Sequence, residues 1–508
     1  MSQAAPHLSI TGRRRVLATV ALGTANLMVI FDMTIANVSV PHISGNLGIT
    51  PSQGTWVITS YAVAEAISVA LTGWLVQRFG AVRAFSVGVL GFGIFSILCG
   101  SSVTIDMLVA CRIGQGLCGG PLMPLTQTLI MRIHPPEKRA QAMGIWAMTM
   151  LVGPAIGPIL GGTISDNMSW HWIFFINVPI VIFSLITTLS LLKPAETPTL
   201  KLPIDLIGLL LMVTWIGAFQ IMLDIGREHD WFADPTVVVL GIVAVVGLAL
   251  FVIWELTEEH PIVDLRIFRY RTFSVGVITM SVGFGAYFAG IVVVPQWMQL
   301  SLGYTATLAG IATAFTAIAA LFFARFPPKL MKHYDARIIV SFGLFWIGGA
   351  TMFRSGWTSE ADFLTLAMPQ MVMGIGMPFF FITATAISLS PVRPDEIASA
   401  AGMQSFTRTI ATAVATSIVM TFWNNEARSA GSDLTAAINP DATSAALAAR
   451  GLTTDQSRIW IAQLVDREAL TMATDNVFIV TALLLWAAAA CVWMGPRVKI
   501  AAPPGGAH

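Results

Sequence analysis

Residues 31–41 read FDMTIANVSVP and place an aspartate, Asp32, inside the first long apolar segment of the chain. Apolar sequence continues back to Val16, so a segment long enough to cross a bilayer contains an ionisable group. An aspartate at the centre of a membrane helix costs about 2.5–3.5 kcal/mol on insertion scales, and such residues usually face protein or water and mark functional sites. We therefore expect Asp32 to bind a proton or to pair with a buried cation.

The composition is that of an integral membrane protein. Of the 508 residues, 55% are hydrophobic and only 11% are charged, whereas soluble domains contain about 25% charged residues. The four cysteines fall in apolar segments and have no metal-ligand spacing. The sequence predicts no metal site, no cofactor and no nucleic-acid binding. Because it also contains no nucleotide-binding loop and no long cytoplasmic domain, we do not expect an enzyme.

At about 20 apolar residues per crossing, the sequence predicts fourteen membrane-spanning helices, which we call spans 1–14. Their approximate limits are 16–41, 53–76, 82–101, 106–131, 140–165, 171–192, 204–224, 236–256, 272–299, 306–326, 337–355, 362–389, 397–424 and 474–496. No signal-peptide cleavage site precedes or follows span 1, so we expect this span to be retained.

The positive charges lie mainly on one side of this topology. Twenty Lys and Arg residues fall on that side, and the short connections on the other side contain only Arg227 and Arg354. The positive-inside rule then places both termini in the cytoplasm and the long connection 425–473 outside. This external loop contains an apolar stripe, which predicts a short surface helix that either packs on the protein itself or docks a partner. The stripe consists of Ile459, Trp460, Ile461, Leu464 and Val465.

Three ionisable residues inside spans are candidates for proton coupling: Asp32 in span 1, Glu65 in span 2 and Arg112 in span 4. An arginine cannot deprotonate inside a membrane, so Arg112 needs a counter-charge, and either acid is a natural partner. Glu65 lies on one polar helix face with Tyr61, which suggests a hydrated path. A purely structural ion pair is the alternative.

Span 5 contains a glycine- and proline-rich motif between residues 153 and 162. Glycines at every fourth position form a flat stripe for close helix contact, and the prolines bend the helix. The pattern predicts a surface on which two halves of the molecule rock, with ordinary tight packing as the alternative. The motif consists of Gly153, Pro154, Gly157, Pro158, Gly161 and Gly162.

The loop after span 2 is a candidate gating loop. Gly73 and Gly80 allow a tight turn between two helices, and Arg78 and Arg83 either sit in cytoplasmic water or pair across the bundle. A plain positively charged loop is the alternative.

Polar and soft side chains in several spans are candidates for lining a substrate cavity. Span 12 is rich in methionine and phenylalanine around two prolines, which suits a pocket for many shapes, although such a stretch is more often core or lipid-facing sequence. Asp224 of span 7 is close enough to the outer surface to be merely solvated. The cavity candidates are Asn37, Tyr61, Gln115, Met371, Gln404 and Arg408.

Together these motifs resemble the major facilitator superfamily and, more narrowly, its fourteen-helix drug:proton antiporters of the EmrB-like branch. Residues 31–41 are similar to the first-helix signature of that branch. The loop 73–83, the Arg-x-x-Gln-Gly run at 112–116 and the Gly-Pro-x-x-Gly run at 153–157 resemble the superfamily's loop, proton-coupling and antiporter signatures. One departure is Gln77, which stands where the superfamily loop usually has an aspartate.

The resemblance implies an all-α polytopic membrane protein of the major facilitator fold. It implies two six-helix bundles, residues 1–193 and 259–508, with two inserted helices in residues 194–258. The implied activity is proton-coupled efflux of hydrophobic toxic compounds by alternating access, driven by the proton gradient without a cofactor. The branch also implies an inner-membrane location, an EmrA-like periplasmic adaptor and a TolC-like outer-membrane channel. A proton-coupled exporter or importer of one specific metabolite is the alternative.

Overall fold

The computed structural model describes residues 10–200, 203–226, 230–393, 395–438, 443, 447 and 453–497. Over these residues the regular structure is entirely helical. The first half contains α1 (Gly12–Leu47), α2 (Pro51–Ala70), α3 (Thr72–Phe79), α4 (Ala81–Gly100), α5 (Ile105–Gly119), α6 (Leu122–Ile133), α7 (Pro136–Asn167), α8 (Trp172–Phe175) and α9 (Asn177–Leu191).

Nine further α-helices have both ends within the described residues. They are α10 (Leu206–Ile225), α11 (Pro235–Thr257), α12 (Arg271–Leu300), α13 (Ala306–Phe323), α14 (Pro327–Leu330), α15 (Ala336–Phe353), α16 (Phe363–Leu389), α17 (Ile397–Ala437) and α18 (Thr454–Cys491). Short 3₁₀ turns occupy Lys193–Ala195, Trp231–Ala233, Leu265–Arg269, Arg354–Gly356 and Val492–Met494.

Side-chain caps set several of the helix starts. Thr50 precedes α2 and forms a reciprocal capping box with Gln53, and Thr453 and Gln456 form the same arrangement before α18. Each box satisfies backbone donors that a helix leaves free in its first turn. These hydroxyl and amide side chains therefore mark where two long helices begin.

The described helices support ten to twelve membrane crossings. Ten helices are long and apolar enough to span a membrane, and counting two bent helix pairs raises the number to twelve. One bent pair is α2 and α3, whose axes meet at 55°, and the other comprises the two parts of α7, at 43°. Spans 4 and 13 are not in this set, because span 4 is divided into α5 and α6 and α17 contains Arg408 and many hydroxyl residues. The count of fourteen stays a prediction.

The predicted external loop 425–473 is helical at both ends. α17 continues to Ala437 and α18 already begins at Thr454, so both helices extend beyond the predicted spans 13 and 14. In the apolar stripe on α18, Ile459 and Trp460 are exposed and Val465 is buried. The loop is therefore mostly a pair of helix extensions, and residues 439–442, 444–446 and 448–452 lie outside the described residues.

The packing of the first half is repeated in the second half. α1 packs against α7 and α9, and α12 packs in the same way against α17 and α18. α2 packs against α5 as α13 packs against α16, and α4 packs against α9 as α15 packs against α18. Contacts between the halves join α7 to α13 and α16, and α17 to α2, α3 and α6.

The halves are in close contact on the side that contains most of the Lys and Arg residues. A Cβ atom on Gly73 of α3 would lie 3.1 Å from the Cα of Ser399 on α17. A Cβ on Gly402 would lie 3.2 Å from the Cβ of Thr72. Only glycine permits these approaches without rearrangement, so Gly73 serves the contact between the halves.

The glycine stripe of α7 packs within the first half. A Cβ on Gly153 would lie 2.9 Å from the Cβ of Ile30, and one on Gly161 would lie 3.1 Å from the Cα of Ile35. Both neighbours belong to α1, so the prediction of a rocking surface was wrong for this stripe and tight packing is the correct interpretation. Gly162 is different, because its nearest neighbour is Thr307 of α13 in the other half. The side chain of Pro158 lies outside the described residues.

We predict that Gly157→Ala destabilises the protein by about 1–3 kcal/mol, because it overpacks the α1–α7 contact. The new Cβ would lie 2.7 Å from the Cβ of Thr34. Thermal unfolding of the purified protein in detergent measures the effect. Gly217→Ala on α10 is the matched control, since no heavy atom lies within 4 Å of its added Cβ. Equal unfolding temperatures for the two variants would contradict the packing account.

Candidate functional site

Asp32 lies in a buried polar cluster inside the first half. Its side chain is only 2% exposed. Arg112 donates through Nη1 to Asp32 Oδ2 at 2.5 Å, and Gln115 donates through Nε2 to Oδ1 at 2.8 Å. Asn177 donates to the same Oδ1 at 3.0 Å. Three helices, α1, α5 and α9, therefore meet at one carboxylate.

The guanidinium of Arg112 makes several further contacts within this cluster. Its Nε donates to the carbonyl oxygen of Val57 at 3.0 Å, and Nη1 also donates to Gln115 Oε1 at 2.9 Å. Its Cζ lies 4.2 Å from the ring centroid of Tyr61, which adds a cation–π contact. Arg112 and Gln115 stand one turn apart on α5, so both face Asp32.

These contacts show which of the two predicted acids is the counter-charge of Arg112. The counter-charge is Asp32, and Glu65 makes no hydrogen bond to Arg112. Tyr61 and Gln115 also belong to this cluster and do not line the central cavity, so their prediction as cavity residues was wrong. Both side chains point into the first half because the cation that they contact is buried there.

Asn177 is the functional candidate that sequence reasoning missed. It begins α9, and besides Asp32 it contacts Ser96 Oγ at 3.0 Å. The sequence signal was a carboxamide within an apolar span, where a buried amide needs partners. The spacing along the chain could not show that those partners lie on α1 and α4.

We predict that Asp32 and Arg112 are strongly coupled in stability. Removing one member of a buried ion pair costs about 3–5 kcal/mol, because the other charge stays buried without a partner. Asp32→Asn and Arg112→Gln should each destabilise the protein by that amount, and the double variant should lose much less than the sum. Unfolding of the three variants in detergent measures the coupling. The exposed pair Arg393–Asp395 is the control, with an expected coupling below about 1 kcal/mol. Additive losses for the buried pair would contradict this role.

A cavity of about 290 Å³ lies between the two halves. Its walls come from α1, α2, α6, α7, α10, α12 and α17, and much of its lining is soft or aromatic. Methionine and phenylalanine side chains can adapt to ligands of different shape. These lining residues are Met33, Met123, Met150, Phe284 and Phe288.

Two opposite charges from different halves line this cavity. Glu65 on α2 is 3% exposed, and its Oε2 has no hydrogen-bond partner among the described residues. Arg408 on α17 donates through Nη2 to the sulfur of Met123 at 3.3 Å, while its Nη1 has no partner among the same residues. Both side chains line the same cavity. The cavity therefore contains an acid that can take up a proton and a cation that can bind a negatively charged group of a ligand.

The inserted helix α10 closes one wall of the cavity. Asp224 lines it and accepts a hydrogen bond from Thr59 of α2, so the interpretation of Asp224 as a merely solvated residue was wrong. The carbonyl oxygen of Leu223 accepts a hydrogen bond of 2.7 Å from Ser417 of α17. Because α10 bonds both neighbours, it bridges the gap between α2 and α17.

The other predicted cavity residues divide into three groups. Asn37 and Arg408 line the cavity as predicted. Gln404 is buried beside it and bonds Gln127 of α6 at 3.1 Å, so it joins the two halves. The prediction that Met371 lines the cavity was wrong, because this side chain is 38% exposed on the outer face of α16. Met373 on the same helix is buried.

The loop between α3 and α4 contacts a carboxylate from a later segment of the chain, that of Glu196. Gly80 has a φ of +90°, and Glu196 fills the space beside it. The Glu196 carboxylate accepts hydrogen bonds from the backbone N–H groups of Val82 at 2.9 Å and Arg83 at 3.2 Å. An acid at a helix N-terminus is stabilised there. Glu196, which sequence reasoning missed, thus supplies a negative charge near the position of Gln77.

No group of His, Cys, Asp or Glu side chains in the described part of the chain is arranged to hold a metal ion.

Comparison with known proteins places the chain in a family. Residues 22–416 match the Major Facilitator Superfamily. The multidrug export protein EmrB of Escherichia coli (strain K12) is 41% identical over 507 residues, which cover 98% of this chain and 99% of that protein. The fatty acid resistance protein FarB of Neisseria gonorrhoeae is 40% identical over 499 residues, covering 96% and 97%.

Solved structures show the same fold at low sequence identity. A bacterial homologue of the human lysosomal transporter Spinster, in an inward-facing and unoccupied conformation, has a TM-score of 0.53 at 13% identity and covers 97% of this chain and 100% of its own. The human organic anion transporter MFSD10 has a TM-score of 0.55 at 11% identity, covering 94% and 100%. The chain is a multi-pass membrane protein that belongs to the major facilitator superfamily and, within it, to the family of the EmrB proteins.

Proposed function

We propose that this protein exports hydrophobic drugs of many shapes in exchange for protons. The observation that carries the proposal is the cavity between the halves, whose soft apolar walls also present Glu65 and Arg408. Its volume suits a drug-sized ligand. The relatives named as multidrug export proteins support the same activity.

The proposed mechanism is alternating access between two bundles, residues 1–193 and 259–508. The side rich in Lys and Arg is the cytoplasmic side by the positive-inside rule. The contacts of Gly73 with Ser399 and of Gln127 with Gln404 close that side. For a drug to enter from the cytoplasm these contacts must separate, as in other transporters built from two repeats. Within the inserted segment 194–258, α10 keeps the cavity wall continuous.

Glu65 is the proposed proton carrier. It lines the cavity and has a carboxylate oxygen free of hydrogen bonds among the described residues, so a proton or a drug can compete for it. Asp32 instead accepts three hydrogen bonds away from the cavity wall. The membrane potential supplies about 2.3 kcal/mol per charge per 100 mV to such an exchange. The Asp32–Arg112 pair then acts as the rigid support for the first half.

The proposed location is the inner membrane, with both termini in the cytoplasm. There the protein would deliver drugs to an EmrA-like periplasmic adaptor and a TolC-like outer-membrane channel. The extensions of α17 and α18 lie on the periplasmic side of this arrangement and offer exposed apolar residues, Ile459 and Trp460, to the adaptor.

A narrower exporter of one amphipathic acid is the second candidate. The observation that favours it is Arg408, a cation in the cavity whose Nη1 has no hydrogen-bond partner among the described residues. The name of the relative FarB, a fatty acid resistance protein, points to the same substrate chemistry. Competition for transport among chemically unrelated drugs supports the multidrug proposal, and the absence of such competition supports the narrow exporter.

We predict that Glu65→Gln abolishes proton-driven export. Drug accumulation in everted membrane vesicles energised by a proton gradient should fall to the level of vesicles that lack the protein, because the glutamine cannot take up the exchanged proton. Glu259→Gln is the matched control, since Glu259 is exposed and remote from the cavity. Gradient-driven accumulation at the wild-type rate in Glu65→Gln would exclude Glu65 as the carrier.

We predict that a disulfide between Thr72→Cys and Gly402→Cys stops export. The two Cβ positions are 3.2 Å apart, which a small movement brings into the disulfide range of about 3.5–4.5 Å. In a background without the four native cysteines, oxidation should abolish transport and a reductant should restore it. Each single-cysteine variant controls for damage by the oxidant. Normal transport by fully cross-linked protein would show that these helices do not separate.

A further inference from the structure

The second half contains a buried arginine without a carboxylate partner among the described residues. Arg354 begins the 3₁₀ turn after α15, and it is only 2% exposed. Its charge was counted from the sequence as part of a short external connection, but the side chain folds back into the bundle. A buried charge without a counter-charge is strongly unfavourable.

The described partners of Arg354 are neutral. Nη1 donates to Gln370 Oε1 at 3.2 Å and Nη2 donates to Thr351 Oγ1 at 3.3 Å. Its Nε has no hydrogen-bond partner among the described residues. The Cζ atom lies 4.5 Å from the ring centroid of Phe478. These contacts position the guanidinium but leave its charge uncompensated.

A small cavity opens beside this guanidinium. Its volume is about 50 Å³, and its lining includes Arg354, Tyr287, Thr316 and Gln370. This space admits small polar species, since one water needs about 10–15 Å³ on the same scale. It is too small for a drug. Pro154 lines both this cavity and the larger central one, so the two spaces are neighbours.

Because the packing of the two halves is repeated, the first half shows where a carboxylate would stand beside the buried cation of the second half. α12 packs in the second half as α1 does in the first, and α16 corresponds in the same way to α5. Arg112 is the eighth residue of α5 and Gln370 is the eighth residue of α16. In the first half, α1 contributes the carboxylate of Asp32 to the buried cation. In the second half, α12 contributes Tyr287, a neutral phenol, to the cavity beside the buried cation.

We propose that a small monovalent anion of the chloride class binds in this cavity and supplies the charge that balances Arg354. The anion takes the role in the second half that the Asp32 carboxylate has in the first. The donors available to it are the Nε–H of Arg354, which has no partner among the described residues, the amide N–H₂ of Gln370 and the hydroxyl group of Tyr287. The site requires no transported drug and is independent of the export proposal.

Thermal unfolding of the purified full chain in detergent tests this site. At constant pH and ionic strength, replacing gluconate by chloride should raise the unfolding temperature by about 2 °C in a saturable manner. Radioactive chloride should bind at one equivalent per chain. Arg354→Gln should lose the shift and the binding, whereas Arg393→Gln, which removes an exposed arginine, should keep both.

A second variant keeps the test decisive if Arg354→Gln folds poorly. Gln370→Glu places a carboxylate where Arg354 Nη1 already donates, so it replaces the anion with a covalent charge. In gluconate, the unfolding temperature of this variant should be at least as high as that of the wild type in chloride. The variant should not bind chloride, and chloride should not change its unfolding temperature. Formate, which is small, should act like chloride, and sulfate should not. A wild-type protein that ignores chloride, or a Gln370→Glu variant that still responds to it, would overturn the proposal.

Discussion

The ion pair between Asp32 and Arg112 is the interaction on which the first half of the molecule depends. α1, α5 and α9 each bring to it a polar group that could not be buried alone in an apolar bundle. Arg112 is a buried cation whose carboxylate partner is Asp32, and that carboxylate accepts three hydrogen bonds. We therefore regard the pair as a structural support and infer that exchange of protons takes place at another carboxylate.

That second carboxylate is positioned by the contact between the halves. Glu65 and Arg408 stand on α2 and α17 and line the cavity from opposite sides. A proton on Glu65 would remove the negative charge that faces Arg408, and a bound drug could compete for the same groups. α10 holds the wall between them through Asp224 and Leu223. In our account the halves are thus linked by charges that a proton on Glu65 can cancel, whereas the interior of the first half is linked by the buried ion pair of Asp32 and Arg112.

Much of this arrangement could be predicted from the sequence. The apolar segments, Asp32 inside span 1 and Arg112 inside span 4 predicted a helical membrane protein with a buried ion pair. The sequence could not show how each helix is rotated or which neighbour its faces meet. For this reason the stripe containing Gly157 was predicted to lie between the halves, whereas it packs on α1. For the same reason Asn177 was overlooked, and Met371 was predicted to line a cavity that it does not line. Arg354 was misjudged because a turn at the end of α15 directs its side chain inward.

The release of protons on drug binding to the purified protein in detergent tests the central claim most directly. Our account predicts that the wild type and Asp32→Asn both release a proton when a drug binds. Glu65→Gln should bind the drug without releasing any. Proton release from Glu65→Gln at the wild-type level, together with its loss in Asp32→Asn, would contradict the account and assign the exchange to Asp32.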